Sequence, residues 1–297
     1  MPGPSPLLDV RNLVKRYESA PREAPPAVDD VSFHVNAGET LGLVGESGSG
    51  KSTIGRAICM LSPPNSGSIV FEGREISRSS QNELQKVRQR MQIVFQDPFS
   101  ALNPRMRVGE FVAEPLVIHG RYRNRSERRD VVAEQFRLVG LDPDAMGRYP
   151  HQFSGGQRQR ICIARALILG PSMIVADEPI AALDVSIQAQ IVNLLADLQE
   201  RTKVSYIFIS HDLRMVQHIC HRVAVLYRGR IVELANVVDL YSNPLHPYTQ
   251  RLLSAVPIPD PARERARQRS LGPLSFGNEG SLIEAREGHF VRLPSLP

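Results

Sequence analysis

The chain has 297 residues, of which 42% are hydrophobic and 23% charged, and its formal net charge is +5. Those values exclude a disordered or fibrous chain and allow one large or two modest domains. The charge is too mildly basic to favour a nucleic-acid partner over an anionic membrane surface. Three cysteines, Cys59, Cys162 and Cys220, lie far apart with no C-x-x-C pair, which argues against a disulfide framework or metal knuckle and fits a reducing compartment. The first residues, Met1-Pro2-Gly3-Pro4-Ser5-Pro6, lack the charged-then-apolar order of a signal peptide, so no leader is expected. The longest apolar stretch, 161–176, is broken by Arg165, Gly170 and Pro171 and cannot span a bilayer.

In chain order, residues 7–17 read as a strand ending in Lys15-Arg16-Tyr17, followed by a proline-rich break at 21–26. Tyr17 is open between stacking on a base and an ordinary strand-end role, and spacing alone favours the second. Residues 28–35 alternate as a strand, and Asn36-Ala37-Gly38-Glu39 turns the chain into the apolar run 41–44. Next comes Gly45-Glu46-Ser47-Gly48-Ser49-Gly50-Lys51-Ser52-Thr53, and then a helical stretch at 54–60. Strand, glycine loop, lysine, hydroxyl and helix make a P-loop. The glycines let backbone N–H groups turn toward phosphate oxygens, and the helix adds its positive end. Lys51 is placed to reach the β- and γ-phosphates and Ser52 to hold Mg²⁺.

A turn at 63–67, short strands at 68–71 and 75–76, a polar helix at 81–90 and a strand at 91–95 follow, stopping at Gln96-Asp97-Pro98. Strand signals then vanish over 98–150, where 108–119 and 128–139 have helical spacing, so a helical insertion is expected. Between those helices Arg121-Tyr122-Arg123-Asn124-Arg125 reads as a solvated loop before it reads as a phosphate or lipid contact. Ser154 is a candidate N-cap for a helix at 161–169, and Ser154-Gly155-Gly156-Gln157 is anion-receptive, although linkers look similar. Residues 173–179 read as a buried parallel strand ending in Asp177 and Glu178. With a P-loop upstream, Asp177 suits Mg²⁺ and Glu178 suits orienting or activating a water, against the plainer reading of two helix-capping acids. A turn at 181–184 enters a helix at 187–201, and a strand at 204–209 ends in Ser210-His211-Asp212. His211 sits where ligands bind in open α/β sheets, although a lone histidine is more often structural. A hairpin at 223–227 and 230–234, turning at Gly229, is expected to finish the sheet.

With these pieces in this order, residues 7–256 resemble the ATP-binding cassette ATPases. The motifs that carry the likeness are the P-loop, Gln96, Phe153-Ser154-Gly155-Gly156-Gln157, Asp177-Glu178, Ala181-Ala182-Leu183-Asp184 and His211. The resemblance implies ATP and Mg²⁺ as cofactors and hydrolysis to ADP and phosphate. It makes Tyr17 the adenine-stacking aromatic, and Gln96 a sensor of Mg²⁺ and of the membrane partner. It makes Ser154, Gly155, Gly156, Gln157 and Asp184 contacts to a nucleotide shared with an opposite subunit, and Glu178, His211 and Gln96 the catalytic set. Closer still, Phe95-Gln96-Asp97-Pro98-Phe99-Ser100-Ala101-Leu102-Asn103-Pro104, Asp184-Val185-Ser186-Ile187-Gln188-Ala189-Gln190 and the tail Asn243-Pro244-Leu245-His246-Pro247-Tyr248-Thr249 resemble the oligopeptide/dipeptide importers. The stretch after Ser210 looks more like the second of the two ATPases such importers often carry.

The expected architecture is an α/β P-loop core with an N-terminal antiparallel part, at 7–97 and 171–235. It carries a helical subdomain at 98–170 and a C-terminal extension at 236–297. Implied partners are a second ATP-binding subunit, two transmembrane permease subunits and an extracytoplasmic solute-binding protein, with no nucleic acid. The implied location is peripheral, on the cytoplasmic face of the cell membrane. Peptide is the leading cargo; nickel, glutathione or sugars occur in the same subfamily, and a cassette ATPase outside transport is the more distant alternative. Two departures stand out. Ile180 and Ala181 replace small or hydroxylated residues, and no cysteine follows Cys220, so the iron–sulfur cluster of some relatives is not expected. Arg263-Glu264-Arg265-Ala266-Arg267 reads as a solvated helix. The tail lies outside every phosphate motif, so its role is expected in assembly or regulation, with the phosphate chemistry running largely without it.

Overall fold

A computed structural model describes residues 5–19, 21, 23–122, 124–255 and 280–292. Strands β1 (Leu8–Lys15) and β2 (Val28–Val35) bury one face each, through Leu8, Val10 and Leu13 and through Val28, Val31, Phe33 and Val35. Strand β3 (Thr40–Val44) is buried throughout. Helix α1 (Lys51–Ile58) begins at the lysine, three residues before the apolar spacing becomes visible. Then come β4 (Ser66–Phe71), β5 (Arg74–Glu75), α2 (Gln81–Arg90) and β6 (Met91–Val94). The Glu83 carboxylate accepts the Ser80 N–H at 2.8 Å and so starts α2.

Helices α3 (Pro98–Ala101), α4 (Val108–Ile118) and α5 (Arg125–Leu138) follow, and no described residue of 98–150 is in a strand. Asn124 accepts the Ser126 N–H at 2.9 Å, so α5 starts three residues before its periodicity does. Two short 3₁₀ turns, Pro143–Gly147 and Pro150–Gln152, lead into α6 (Gly155–Leu167). The remaining elements are β7 (Met173–Asp177), α7 (Val185–Thr202), β8 (Ser205–Ser210), α8 (Leu213–Ile219), β9 (Arg222–Tyr227), β10 (Arg230–Asn236), α9 (Val237–Ser242), α10 (Pro247–Ser254), β11 (Leu282–Arg286) and β12 (His289–Arg292).

The chain divides into two compact units. The first takes Met1–Val35, Thr40–Ser77 and Ile209–Pro297. It holds an antiparallel sheet in the order β2-β1-β4-β5, and a run of strands in the order β11-β12-β10-β9-β3. β3 is parallel to β9, whereas β9, β10, β12 and β11 are successively antiparallel. The hairpin at β10 does not finish the sheet, as the sequence suggests it should. β12 pairs beyond it, with Glu233 opposite Val291 and Leu234 opposite Phe290. The free edge of β10 is thereby covered by a later segment. Gly42 lets α8 approach β3 closely, since a Cβ there would lie 2.9 Å from Cys220 Sγ.

The second unit takes Asn36–Glu39 and Arg78–Phe208. Its strands run β8, β7, β6 in neighbouring order, with β6 and β7 parallel. β7 is buried along its whole length, and Tyr206 and Phe208 of β8 are fully buried. A fully buried apolar side chain such as Phe208 contributes about 1.5–3 kcal/mol of transfer free energy. Helices α4, α5 and α6 bury Val112, Leu116, Val132, Phe136 and Ile161 among themselves. Arg165 pairs with Glu114 at 2.8 Å and lies over the Phe111 ring. The helix expected at 263–267, and Arg123 of the arginine run, lie outside the described residues. Arg121 of that run donates to the Leu169 carbonyl and to Gln89, so it is tied to the protein.

Candidate active site

In the first unit, β3 delivers the chain into Gly45, Glu46, Ser47, Gly48, Ser49 and Gly50, and α1 carries it away from Lys51, Ser52 and Thr53. Gly45, Gly48 and Gly50 have φ of 149°, 79° and 106°, a region that L side chains rarely adopt. A Cβ at Gly45 would lie 2.3 Å from the Leu226 carbonyl oxygen, and one at Gly50 would lie 2.4 Å from that of Ala27. These glycines are therefore required by the backbone itself. The Gly229 N–H donates to the Ser49 carbonyl at 3.0 Å, which braces the loop against the β9–β10 turn.

Lys51 is 4% exposed, and its ammonium donates to the Gly45 carbonyl at 2.8 Å and the Glu46 carbonyl at 2.9 Å. A buried cation held by loop carbonyls, beside left-handed glycines and a helix N-terminus, forms a cradle that fits a polyphosphate. Tyr17 is 38% exposed, and its hydroxyl lies 3.3 Å from Thr53 Oγ1. A half-open aromatic ring thus stands beside the first turn of α1, with the Lys15 ammonium 5.5 Å from its centroid. His211 follows β8 and is exposed, while the adjacent Asp212 accepts the Arg214 N–H at 2.9 Å and starts α8.

In the second unit, Asp177 closes β7 at 4% exposure. Glu178 follows it with φ 49°, a left-handed conformation that costs a non-glycine residue about 1–3 kcal/mol and is common at functional sites. The Gln96 amide, just past β6, donates to Glu178 Oε2 at 3.1 Å. Two residues 82 positions apart, singled out separately in the sequence, are thus brought into direct contact. A capped turn places Ser154, Gly155, Gly156 and Gln157 at the start of α6, where the Gln157 N–H donates to Ser154 Oγ and the Ser154 N–H to Gln157 Oε1. The expected cap is correct, but Gly155 and Gly156 lie inside the helix and not before it. Gly156 faces α7, where a Cβ would lie 2.5 Å from Ile187 Cγ2. Asp184 is the N-cap position of α7. Ile180, one of the departures from the family pattern, is 2% exposed and packed.

Burial pushes the Cys162 thiol up to about 12 and the Cys220 thiol higher still, so neither is a reactive thiolate. Among the described residues no group of three His, Cys, Asp or Glu side chains could hold a metal. Mg²⁺ at a phosphate site asks for less, since one hydroxyl, one carboxylate and the phosphates commonly suffice.

One contact of this region is invisible to motif reading. Tyr248, in the tail that lies outside every phosphate motif of the sequence, accepts the Glu46 N–H on its hydroxyl at 3.0 Å. The two residues are 202 positions apart, so no local pattern could reveal the contact.

Residues 28–181 match the family described as ABC transporter, and residues 232–278 match the oligopeptide/dipeptide transporter C-terminal region. The chain is 50% identical over 291 residues to the oligopeptide transport ATP-binding protein OppF of Bacillus subtilis, covering 96% of this chain and 95% of that protein. It is 54% identical over 265 residues to a putative peptide import ATP-binding protein of Brucella ovis, covering 89% and 83%. Among solved structures, a dimeric ATP-binding cassette in a post-hydrolysis state with ADP and Pi superposes with a TM-score of 0.69 at 30% identity, over 77% of this chain and 98% of that one. The chain belongs to the ATP-binding cassette ATPases of the ABC transporter family, and within it to the group that carries the oligopeptide/dipeptide transporter C-terminal region.

Proposed function

We propose that this chain is the ATP-hydrolysing subunit of an importer of oligopeptides or dipeptides. One observation carries the reading: a glycine-cradled, lysine-bearing loop and the C-terminal region of the oligopeptide/dipeptide transporters occur in a single chain. ATP supplies a γ-phosphoryl group whose transfer to water releases the free energy for transport. Lys51 exchanges its loop carbonyls for β- and γ-phosphate oxygens, and the loop N–H groups and the α1 N-terminus add to that charge stabilisation. When Mg²⁺ is bound, Ser52 would ligate it, the family likeness gives Asp177 and Gln96 the same role, and the ion would neutralise charge on the transferred phosphoryl group. Glu178 orients and deprotonates the attacking water, with Gln96 fixing its carboxylate in the resting state. His211 contacts the γ-phosphate, and Tyr17 stacks on the adenine.

Ser154, Gly155, Gly156, Gln157 and Asp184 serve the nucleotide held by a second ATP-binding subunit, so one chain completes its partner's site. Residues 98–170 form the helical subdomain that presents the Ser154 turn. Membrane permease subunits are the direct partners, and a solute-binding protein delivers the peptide. No helix of the described residues is long and apolar enough to cross a membrane. The chain docks peripherally on the cytoplasmic face of the membrane subunits.

The test is ATPase activity of the chain assembled with its membrane subunits, with and without peptide-loaded binding protein. Stimulation by peptide that disappears in Glu178→Gln supports the reading. Activity indifferent to peptide but stimulated by DNA or RNA would overturn it.

A further inference from the structure

Glu46 is held on both sides of its backbone. Its carbonyl accepts from Lys51 at 2.9 Å, and its N–H donates to the Tyr248 hydroxyl at 3.0 Å. Tyr248 is 1% exposed, and its ring lies 4.5 Å from that of Tyr227, the last residue of β9. Burial is the main reason its phenol is pushed up to about 12, so the hydroxyl stays protonated at physiological pH and keeps its accepting oxygen neutral.

A buried network in turn holds the tyrosine. The Tyr248 N–H donates to His246 Nδ1 at 3.1 Å at the start of α10. The N–H groups of Leu245 and His246 donate to the two oxygens of the Glu233 carboxylate at 2.7 and 3.0 Å. His289 of β12 lies 2.7 Å from the same carboxylate through Nε2. Glu233, His246 and His289 are all nearly or fully buried. A continuous chain of hydrogen bonds therefore runs from the C-terminal hairpin through β10 and the tail to the P-loop.

We propose that Tyr248 is a positioning residue for the P-loop, fixing the Glu46 amide so that the loop keeps its opening when Lys51 leaves the Glu46 carbonyl for a phosphate. The proposal rests on the nucleotide-binding reading of the loop. Without the hydroxyl, the Glu46 N–H loses that partner; once the nucleotide has drawn Lys51 off the Glu46 carbonyl as well, neither of these bonds holds the residue's backbone, and the loop must be reordered on each binding event. A net hydrogen bond of about 0.5–1.5 kcal/mol corresponds to a two- to twelvefold loss of affinity.

The test uses the full-length chain and Tyr248→Phe, which keeps the ring on Tyr227. MgATP binding is measured by titration, hydrogen exchange is followed at the Glu46 amide without nucleotide, and KM and kcat are measured in the assembled transporter. The proposal predicts a two- to twelvefold weaker Kd, a KM raised by a similar factor with kcat within twofold of wild type, and Glu46 exchange at least tenfold faster. Wild-type affinity in the folded variant would overturn it. So would Glu46 exchange in the wild-type chain as fast as an unstructured amide, a result that needs no variant to fold. If the wild-type chain binds no MgATP, the nucleotide reading fails, while the exchange measurement still decides whether Tyr248 holds the loop.

Discussion

Lys51 shows how one side chain can serve two states. In the structure its ammonium is buried and donates to the carbonyls of Gly45 and Glu46, whose dipoles stand in for part of the water it has lost. Lys51→Ala removes the cation that phosphate oxygens would otherwise receive. MgATP binding by titration calorimetry is expected to weaken at least tenfold, in line with the roughly 1.5–3 kcal/mol of a charged hydrogen bond, and turnover of the complex is expected to vanish. Glu178 makes a separable case. Its strained backbone and its contact with the Gln96 amide fix the carboxylate, but neither contact binds phosphate. Glu178→Gln should keep MgATP affinity within about twofold while cutting single-turnover hydrolysis about a hundredfold or more, because an amide cannot take the proton. Equal losses of binding and turnover would remove the general-base role. Lys51 and the two acids are legible in sequence, because their order and residue type state the chemistry. Gln96 is legible only through family likeness, since nothing local points at Glu178.

At the scale of elements, the phosphate loop depends on glycines that its neighbours enforce. Gly50→Ala adds a Cβ 2.4 Å from the Ala27 carbonyl at a φ of 106°. Destabilisation of about 2 kcal/mol or more, read by chemical denaturation, is expected from strain and overlap together. The tail has its own signature in pH. Burial lowers the His246 pKa below 6.5, with Glu233 opposing and Arg292 assisting that shift. Its neutral Nδ1 accepts the Tyr248 N–H, so folding favours the unprotonated ring. The stability it contributes is complete above about pH 6.5 and is lost as pH falls through the lower folded-state value. Between about pH 7.5 and 5.5 the wild-type melting temperature should fall more than that of His246→Asn, which keeps an accepting cap without titrating. Parallel melting profiles would contradict the assignment. Helix starts are only partly legible: Ser154 can be read as the cap of α6 from residue type, whereas Asn124 begins α5 ahead of any apolar rhythm, because capping polarity and not burial decides where a helix opens.

At the scale of the whole molecule, the sequence announces its class because the phosphate motifs are local and ordered along the chain. What it hides is long-range closure. The β11–β12 hairpin is short and partly exposed, and its meaning lies in pairing with β10 more than fifty residues earlier, Glu233 opposite Val291. Tyr248 on Glu46 is hidden for the same reason. Both tie described parts of the C-terminal extension to β10 and the phosphate loop within one unit, so nucleotide affinity and the integrity of the tail should vary together. The central claim, that ATP hydrolysis by this chain drives peptide uptake, is tested most directly in proteoliposomes holding the complete transporter, with ATP on the side of this chain. Accumulation of a labelled peptide in step with ADP release, abolished by Glu178→Gln in this chain, is the predicted result. Undiminished uptake by the variant, or ATP hydrolysis with no peptide movement in the wild type, would contradict it.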